Sequence, residues 1–202
     1  MHFPPNRRTA TIVASSRIHD GYVKLDEVQL RVERPGRATQ EYERDIHHHG
    51  HAATVLPYDR SRKTVVVVRQ LRVPLLVIGD PDPYLVEACA GIIDPEDKDA
   101  QSACLRESQE EIGLKLRTLE PAGLVYPCPS CVTEHISLFL APYTPEDRIS
   151  DGGGADEDED IDVIELPIAE LIRMLDAGEI RDAKLLMLTQ ALLRAHPELA
   201  AD

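Results

Sequence analysis

The sequence predicts an α/β fold in which helices flank a central mixed sheet, preceded by an antiparallel β extension. The first observation is that β-branched runs alternate with amphipathic segments along residues 49–202. The second is that residues 1–48 contain only short segments with alternating apolar residues, which are typical of antiparallel strands. These segments lie at 9–17, 20–33 and 39–47. We therefore expect a β extension at 1–48 and a main domain at 49–202.

The elements of the main domain follow from hydrophobic periodicity. Strands are predicted at 52–57, 64–70, 84–89, 115–126, 132–141 and 161–166. The run Thr-Val-Val-Val-Val at 64–68 is β-branched throughout, which predicts a strand that is buried on both faces. Helices are predicted at 99–112, 167–177 and 182–195. Gly113 is placed to end the first of them, because glycine is common just after a helix.

Composition limits the class of partner. The chain of 202 residues has a net charge of −14, which argues against nucleic acid, because a phosphate backbone requires a basic surface. It contains no apolar run of the length that a transmembrane helix needs, so no membrane association is expected. Its first residues, Met-His-Phe-Pro-Pro-Asn-Arg-Arg, do not resemble a signal peptide, which favours a cytoplasmic location.

Three glutamates indicate a metal site. Glu107, Glu110 and Glu111 stand at i, i+3 and i+4, so a helix places their carboxylates on one face. Like charges arranged in this way repel one another unless a cation binds among them, although a solvated acidic face is a common alternative. Ligands that are all oxygen atoms suit a hard ion such as Mg²⁺, with Mn²⁺ as a substitute.

The motif Cys-Pro-Ser-Cys at 128–131 has a spacing shared by redox pairs and by half of a zinc site. Cys89 and Cys104 do not supply the second pair that a zinc site requires. A redox pair is expected at a strand-to-helix turn, whereas this motif precedes an apolar, strand-like run. We therefore favour a turn with reduced thiols over a redox or zinc module. The histidines at 47–49 and 51 are likewise interpreted as part of a connector, not a metal tract.

The segment 91–113 resembles the Nudix box, the signature of metal-dependent hydrolases that cleave a pyrophosphate between a nucleoside and another group. It reads Gly-Ile-Ile-Asp-Pro-Glu-Asp, then a helical run, then Arg-Glu-Ser-Gln-Glu-Glu-Ile-Gly at 106–113. This second half is intact. The stretch before it is one residue longer than usual, and the first glutamate of the family is replaced or shifted to Glu96 or Asp97. Ser108 stands where an aliphatic residue is usual.

Other segments resemble the branch of this family that hydrolyses GDP-mannose. They are 71–73, 87–91, 133–134, the triple glycine at 152–154 with 159–161, and 178–182. The resemblance implies a Nudix α/β/α sandwich with a central mixed sheet. It also implies a homodimer in which the N-terminal extension packs across the two subunits, both of which contribute to the active site.

The resemblance implies a pyrophosphohydrolase, an enzyme acting on phosphorus-containing acid anhydrides. Its substrate would be a nucleoside diphosphate sugar, above all GDP-mannose, hydrolysed to GMP and mannose 1-phosphate. ADP-ribose, giving AMP and ribose 5-phosphate, is the alternative, because ADP-ribose pyrophosphatases share this layout. A Nudix protein that only binds nucleotide sugars is the non-enzyme alternative. The intact Arg106, Glu107, Glu110 and Glu111 count against it.

The resemblance also assigns roles to individual residues. The metal ligands would be Glu107, Glu110, Glu111, Glu159 and the backbone oxygen of Ala90. The catalytic residues would be Glu111, Glu159, Glu134 and Arg106, with Arg106 holding the carboxylates of the box. The substrate would be bound by Tyr22, Arg44, Arg72, Gly91, Glu134 and Lys184. Six acidic residues follow the triple glycine within eight positions, and we expect this loop to close over metal and substrate, bringing Glu159 to the ions.

Overall fold

The structure, a computed structural model, describes residues 8–155 and 160–200. The chain divides into two compact units. The N-terminal unit consists of Met1–Gly50 and Tyr126–Glu134, and the second unit consists of His51–Val125 and His135–Asp202. Among the described residues, no helix has the length and apolar character that crossing a membrane requires. The sequence-based boundary at residue 48 stays a prediction, as does the dimer-forming role of the extension.

The N-terminal unit is built on a three-stranded antiparallel sheet. Its strands are β1 (Thr9–Asp20), β2 (Lys24–Glu33) and β3 (Gln40–His48). Every residue of β1 is exposed, and Val32 is the one buried residue among the described residues of the three strands. The segment 126–134 joins the end of β3, because the amide of His47 donates to the carbonyl of Cys131 at 2.8 Å.

Seven strands of the second unit form one sheet. They are β4 (Ala52–Asp59), β5 (Thr64–Leu71), β6 (Tyr84–Glu87), β7 (Cys89–Ile92), β8 (Glu120–Val125), β9 (Ile136–Pro142) and β10 (Ile161–Pro167). The order along the main path is β10-β5-β4-β9-β8, with β6 paired to β5 and β7 to β4. The β4–β9 pair is parallel and the other pairs are antiparallel, which confirms the predicted mixed sheet.

Four α-helices lie around this sheet in the described part of the chain. They are α1 (Val73–Val77), α2 (Ala100–Glu110), α3 (Ile168–Asp176) and α4 (Ala183–Ala195), with 3₁₀ turns at Pro145–Asp147 and Pro197–Ala200. Helix α2 begins with a capping box in which Asp99 accepts from the amide of Ser102 and the Ser102 hydroxyl accepts from the amide of Asp99, both at 2.9 Å. Helix α4 begins at Asp182, whose carboxylate accepts from the amides of Lys184 and Leu185.

Both faces of the sheet are covered by apolar side chains. In β5, Val65 and Val67 belong to one buried cluster, and Val66 and Val68 belong to another. The first cluster includes residues of α3 and α4, and the second includes residues of α2. The prediction that this strand is buried on both faces is therefore confirmed, and helices on the two faces make an α/β/α sandwich.

The structure differs from the sequence-based elements most clearly at four places. The single strand predicted at 84–89 is two strands, because the chain changes partner at Ala88 and passes from β5 to β4. The strand predicted at 115–126 is limited to Glu120–Val125, and the strand predicted at 132–141 begins only at Ile136 and ends at Pro142. Helix α1 was not predicted, since five residues are too few to show a helical period.

The buried face of α4 provides a test of this packing. Leu188 is fully buried and Leu124 of β8 is 54% exposed, so the same substitution probes both environments. We expect Leu188→Ala to lower the free energy of unfolding by about 2–5 kcal/mol, because it leaves a cavity in the core. Leu124→Ala should change it by less than about 1 kcal/mol. Urea unfolding followed by circular dichroism measures both, and equal losses would contradict the packing described.

Candidate active site

Two carboxylates of the α2 region meet the backbone of β7. The amide of Ala90 donates to Oε2 of Glu111 at 3.0 Å, and Glu111 is only 4% exposed. The side chain of Glu107 lies over Gly91, where an added Cβ would come within 1.9 Å of its Cδ and Oε1 atoms. A side chain at position 91 would therefore displace the Glu107 carboxylate from this place. The strand and the helix thus bring Glu107 and Glu111 to two consecutive backbone positions.

Arg106 is paired with several carboxylates around the start of this site. Its guanidinium lies 2.8 Å from Glu107, 2.9 Å from Glu110 and 2.9 Å from Asp97. It also donates to the carbonyl of Ile92 at 3.1 Å. The hydrogen bond to Asp97 raises the pKa of Arg106 and lowers that of Asp97. Arg106 therefore offsets part of the repulsion between the glutamates of the helix.

The oxygen atoms around Ala90 and Gly91 form part of a candidate metal site. In the described parts of the chain, no three His, Cys, Asp or Glu side chains come together in a way that could already hold an ion. Glu107 and Glu111 do converge on the Ala90–Gly91 backbone, whereas Glu110 is turned to Arg106. All donors at this point are oxygen atoms, so the residues present fit a hard divalent cation as a partial ligand set.

Glu159, a predicted metal ligand and catalytic residue, lies outside the described residues, as does Glu157. The triple glycine before them lies within. The amide of Gly153 donates to the carbonyl of Glu111 at 2.9 Å, and that of Gly154 donates to the carbonyl of Glu110 at 3.2 Å. An added Cβ at Gly152 would lie 2.5 Å from the Glu111 carbonyl. The sequence predicts a loop here that can close. The structure adds that the amides of Gly153 and Gly154 satisfy backbone carbonyls at the end of α2.

A second cluster of charges surrounds Glu87, whose side chain is 2% exposed. Arg72 donates two hydrogen bonds to its carboxylate, and Nζ of Lys184 lies 2.9 Å from it. The same Nζ lies 2.8 Å from Asp182, which caps α4. Burial favours a raised pKa for Glu87, but the hydrogen bonds from Arg72 and the charge of Lys184 outweigh it and lower the pKa.

Glu87 was not among the predicted site residues, although Arg72 and Lys184 were. The signal that could have found it is a glutamate at the end of an apolar strand, because a carboxylate is almost never buried there without cationic partners. Its two partners are 15 and 97 positions away in sequence, so the pairing itself is not visible in a local pattern.

The remaining predicted substrate contacts belong to the N-terminal unit. Tyr22 is 86% exposed in the turn between β1 and β2. Arg44 is exposed on β3, where its guanidinium lies 5.0 Å from the centre of the Tyr42 ring. Glu134 lies 3.5 Å from Nε2 of His49. Contact of these side chains with a substrate stays a prediction.

Three residues in or next to α2 are buried. Cys89 and Cys104 are buried thiols, and burial raises the pKa of both, to about 12 for Cys104. Ser108, which replaces the usual aliphatic residue of the box, is fully buried, and its hydroxyl donates to the carbonyl of Cys104. The polar side chain is therefore accommodated within the helix.

Comparison with known proteins identifies the family. The NUDIX domain model matches residues 48–189. The GDP-mannose pyrophosphatase of Enterobacter sp. (strain 638) is 37% identical over 90% of this chain and 93% of its own length. Those of Salmonella typhimurium (strain LT2) and Cronobacter sakazakii are 36% and 38% identical over 94% and 87% of this chain, and 97% and 90% of their own.

A solved structure has a similar fold. A crystal structure of an ADP compounds hydrolase superposes with a TM-score of 0.73 at 17% identity, covering 96% of this chain and 98% of the other. At that identity the likeness concerns the fold alone. The resemblance noted in the sequence is thus confirmed, and the chain belongs to the Nudix family.

Proposed function

We propose that this protein hydrolyses the pyrophosphate bond of GDP-mannose to GMP and mannose 1-phosphate, using Mg²⁺ or Mn²⁺. The observation that carries the proposal is the convergence of Glu107 and Glu111, from the intact second half of the box, on the Ala90–Gly91 backbone. The choice of substrate is supported by relatives named GDP-mannose pyrophosphatase, which are similar over almost the whole chain.

The metal-binding residues would be Glu107, Glu111 and the Ala90 carbonyl, with Glu110 and Glu159 as further ligands. A bound divalent ion would offset negative charge on the phosphoryl oxygens and polarise water. The chain's own contribution is orientation, because the Ala90 amide fixes one oxygen of Glu111 and Arg106 holds Glu107. Nudix hydrolases generally depend on divalent metals, which supports the same assignment.

The proton of the attacking water requires an acceptor. Glu134 and Glu159 are the candidates among the residues assigned by resemblance, beside the carboxylates of the box itself. A carboxylate suits this role because it is ionised at neutral pH and accepts a hydrogen bond from the water. We propose that Glu159 approaches the ions from the acidic loop and that Glu134 contacts either the water or the substrate.

Arg72 and Lys184 differ as phosphate ligands. Lys184 is held between Glu87 and Asp182, and its side chain is 16% exposed. Arg72 keeps 40% of its side chain exposed while Glu87 fixes one edge of the guanidinium. A planar guanidinium can bind two phosphate oxygens at once. We therefore propose that Arg72 contacts the pyrophosphate directly and that Glu87 positions it.

The N-terminal strands support a homodimer. Ile12, Val13 and Ile18 of β1 are 67%, 51% and 51% exposed, and their sheet buries only Val32 among its described residues. Exposed apolar side chains on an edge strand are typical of a surface that contacts another chain. We propose that the second copy covers this strand, with Tyr22 and Arg44 contributing to nucleotide recognition. A cytoplasmic location and the absence of nucleic-acid and membrane partners remain part of the same proposal.

A substrate panel tests the proposed reaction. With Mg²⁺ present, kcat/KM for GDP-mannose should exceed that for ADP-ribose, GDP-glucose and UDP-glucose. GMP and mannose 1-phosphate should appear in equal amounts by chromatography. Preference for ADP-ribose would establish the alternative substrate. Tight binding of a nucleotide sugar without turnover in Mg²⁺ would establish the binding protein instead.

Removal of the metal or of one ligand charge tests the site. EDTA should abolish turnover, and Mg²⁺ or Mn²⁺ should restore it. Glu111→Gln should lower kcat on the order of a hundredfold or more, because a ligand charge is lost at nearly constant shape. Glu170→Gln, at an exposed position of α3, is the matched control and should retain activity. Full activity of metal-free protein, or of Glu111→Gln, would refute the assignment.

Assembly is tested by light scattering at micromolar concentration, where we expect a dimer. Ile12→Asp should shift the population to monomer, because a charge on β1 opposes burial of that strand. Ile149→Asp, at an apolar position of the second unit that is 55% exposed, is the control and should leave the dimer intact. A wild-type protein that is monomeric under these conditions would overturn this part of the proposal.

A further inference from the structure

The Cys128–Cys131 turn has a geometry that the sequence alone did not suggest. The two sulfur atoms lie 3.7 Å apart, and both residues are exposed. The amides of Cys131 and Val132 both donate to the carbonyl of Cys128, at 3.3 Å and 3.0 Å. The four residues therefore form a single helix-like turn with Cys128 at its start. This is the setting of a dithiol pair, even though the motif precedes a strand.

The surroundings of Cys128 favour its thiolate. The Ser130 hydroxyl lies 3.4 Å from its sulfur and can donate to it, and the Cys131 sulfur lies 3.7 Å from it. These hydrogen bonds, with those of the backbone amides of the turn, lower the pKa of Cys128. The residue is also accessible, so a reagent can approach the sulfur. Accessibility and thiolate character together determine which cysteine of a pair attacks first.

The turn is held in place by its neighbour strand. The carbonyl of Cys131 accepts from the amide of His47 at 2.8 Å, and the amide of Thr133 donates to the carbonyl of His47 at 3.1 Å. Both thiols thus stay close before any reaction. Closing the gap from 3.7 Å to an S–S bond of about 2.05 Å requires a movement of less than about 2 Å by two side chains.

The other use of this motif, a zinc site, lacks ligands. Within the residues that the structure describes, no third His, Cys, Asp or Glu side chain joins the two sulfurs in a metal-binding group. The remaining cysteines, Cys89 and Cys104, belong to the buried core of the second unit. A structural zinc ion takes four protein ligands, so two thiols alone do not make such a site.

We propose that Cys128 and Cys131 form a thiol–disulfide exchange site that takes small-molecule disulfides such as oxidised glutathione. The Cys128 thiolate attacks one sulfur of the reagent, which forms a mixed disulfide and releases one glutathione thiolate. Cys131 loses its proton to solvent and attacks Sγ of Cys128, which forms the internal disulfide and releases the second glutathione thiolate. Two protein thiols are oxidised and one small disulfide is reduced to two thiols, so the step balances.

Mass spectrometry of the folded, full-length protein tests this proposal independently of any hydrolase activity. After incubation with oxidised glutathione, the peptide containing residues 128–131 should lose two hydrogen atoms in mass, and dithiothreitol should reverse the loss. Cys131→Ser should instead accumulate glutathione bound to Cys128. Cys128→Ser should react at least about tenfold more slowly than Cys131→Ser, because it lacks the thiolate that attacks first.

The buried cysteines provide an internal control, since Cys89 and Cys104 should stay unmodified in the folded protein. Three results would overturn the proposal. One is stable glutathione on wild-type Cys128 without an internal disulfide. Another is equal reactivity of the two single variants. The third is stoichiometric zinc in the purified protein that disappears in Cys131→Ser, which would show that the pair is a metal site.

Discussion

The contact between β7 and the carboxylates of α2 is the constraint on which the rest of the site depends. A carboxylate over a strand requires room, and Gly91 supplies it, because any Cβ there would overlap Glu107. The next carboxylate is fixed by a backbone amide, that of Ala90. The chain reaches this position because strand β6 ends before Ala88 and the next strand, β7, pairs with β4. Backbone topology thus decides where the charges lie.

Carboxylates held close together in this way repel one another, and nearby cationic side chains offset part of this repulsion. Arg106 pairs with Glu107 and Glu110 on one side of the site, while Arg72 and Lys184 surround Glu87 on another. A partly buried ion pair stabilises the fold only when its geometry is good and its charges are matched. Here the pairing orients the carboxylates. A divalent cation would then replace part of the compensation that Arg106 provides.

Local patterns predicted the elements, and long-range contacts decided the site. Helix α2 and its capping box depend on residues that are close in sequence. The sequence alone could therefore predict that Glu107 and Glu111 share one face. The strand at 64–68 was predicted for the same reason. The cluster at Glu87 was missed, because its partners come from distant segments. The docking of Gly153 and Gly154 on the end of α2 was missed too, since three glycines indicate freedom and not a particular partner.

The role of Gly91 and Glu107 in metal binding can be measured as the affinity for Mn²⁺, determined by isothermal titration calorimetry. We expect Gly91→Ala to weaken Mn²⁺ binding at least about tenfold, because the added methyl displaces the Glu107 carboxylate. Glu107→Ala should weaken it as much, and the double variant should be no worse than Glu107→Ala alone. Wild-type affinity in Gly91→Ala, with an unchanged circular dichroism spectrum, would contradict the account.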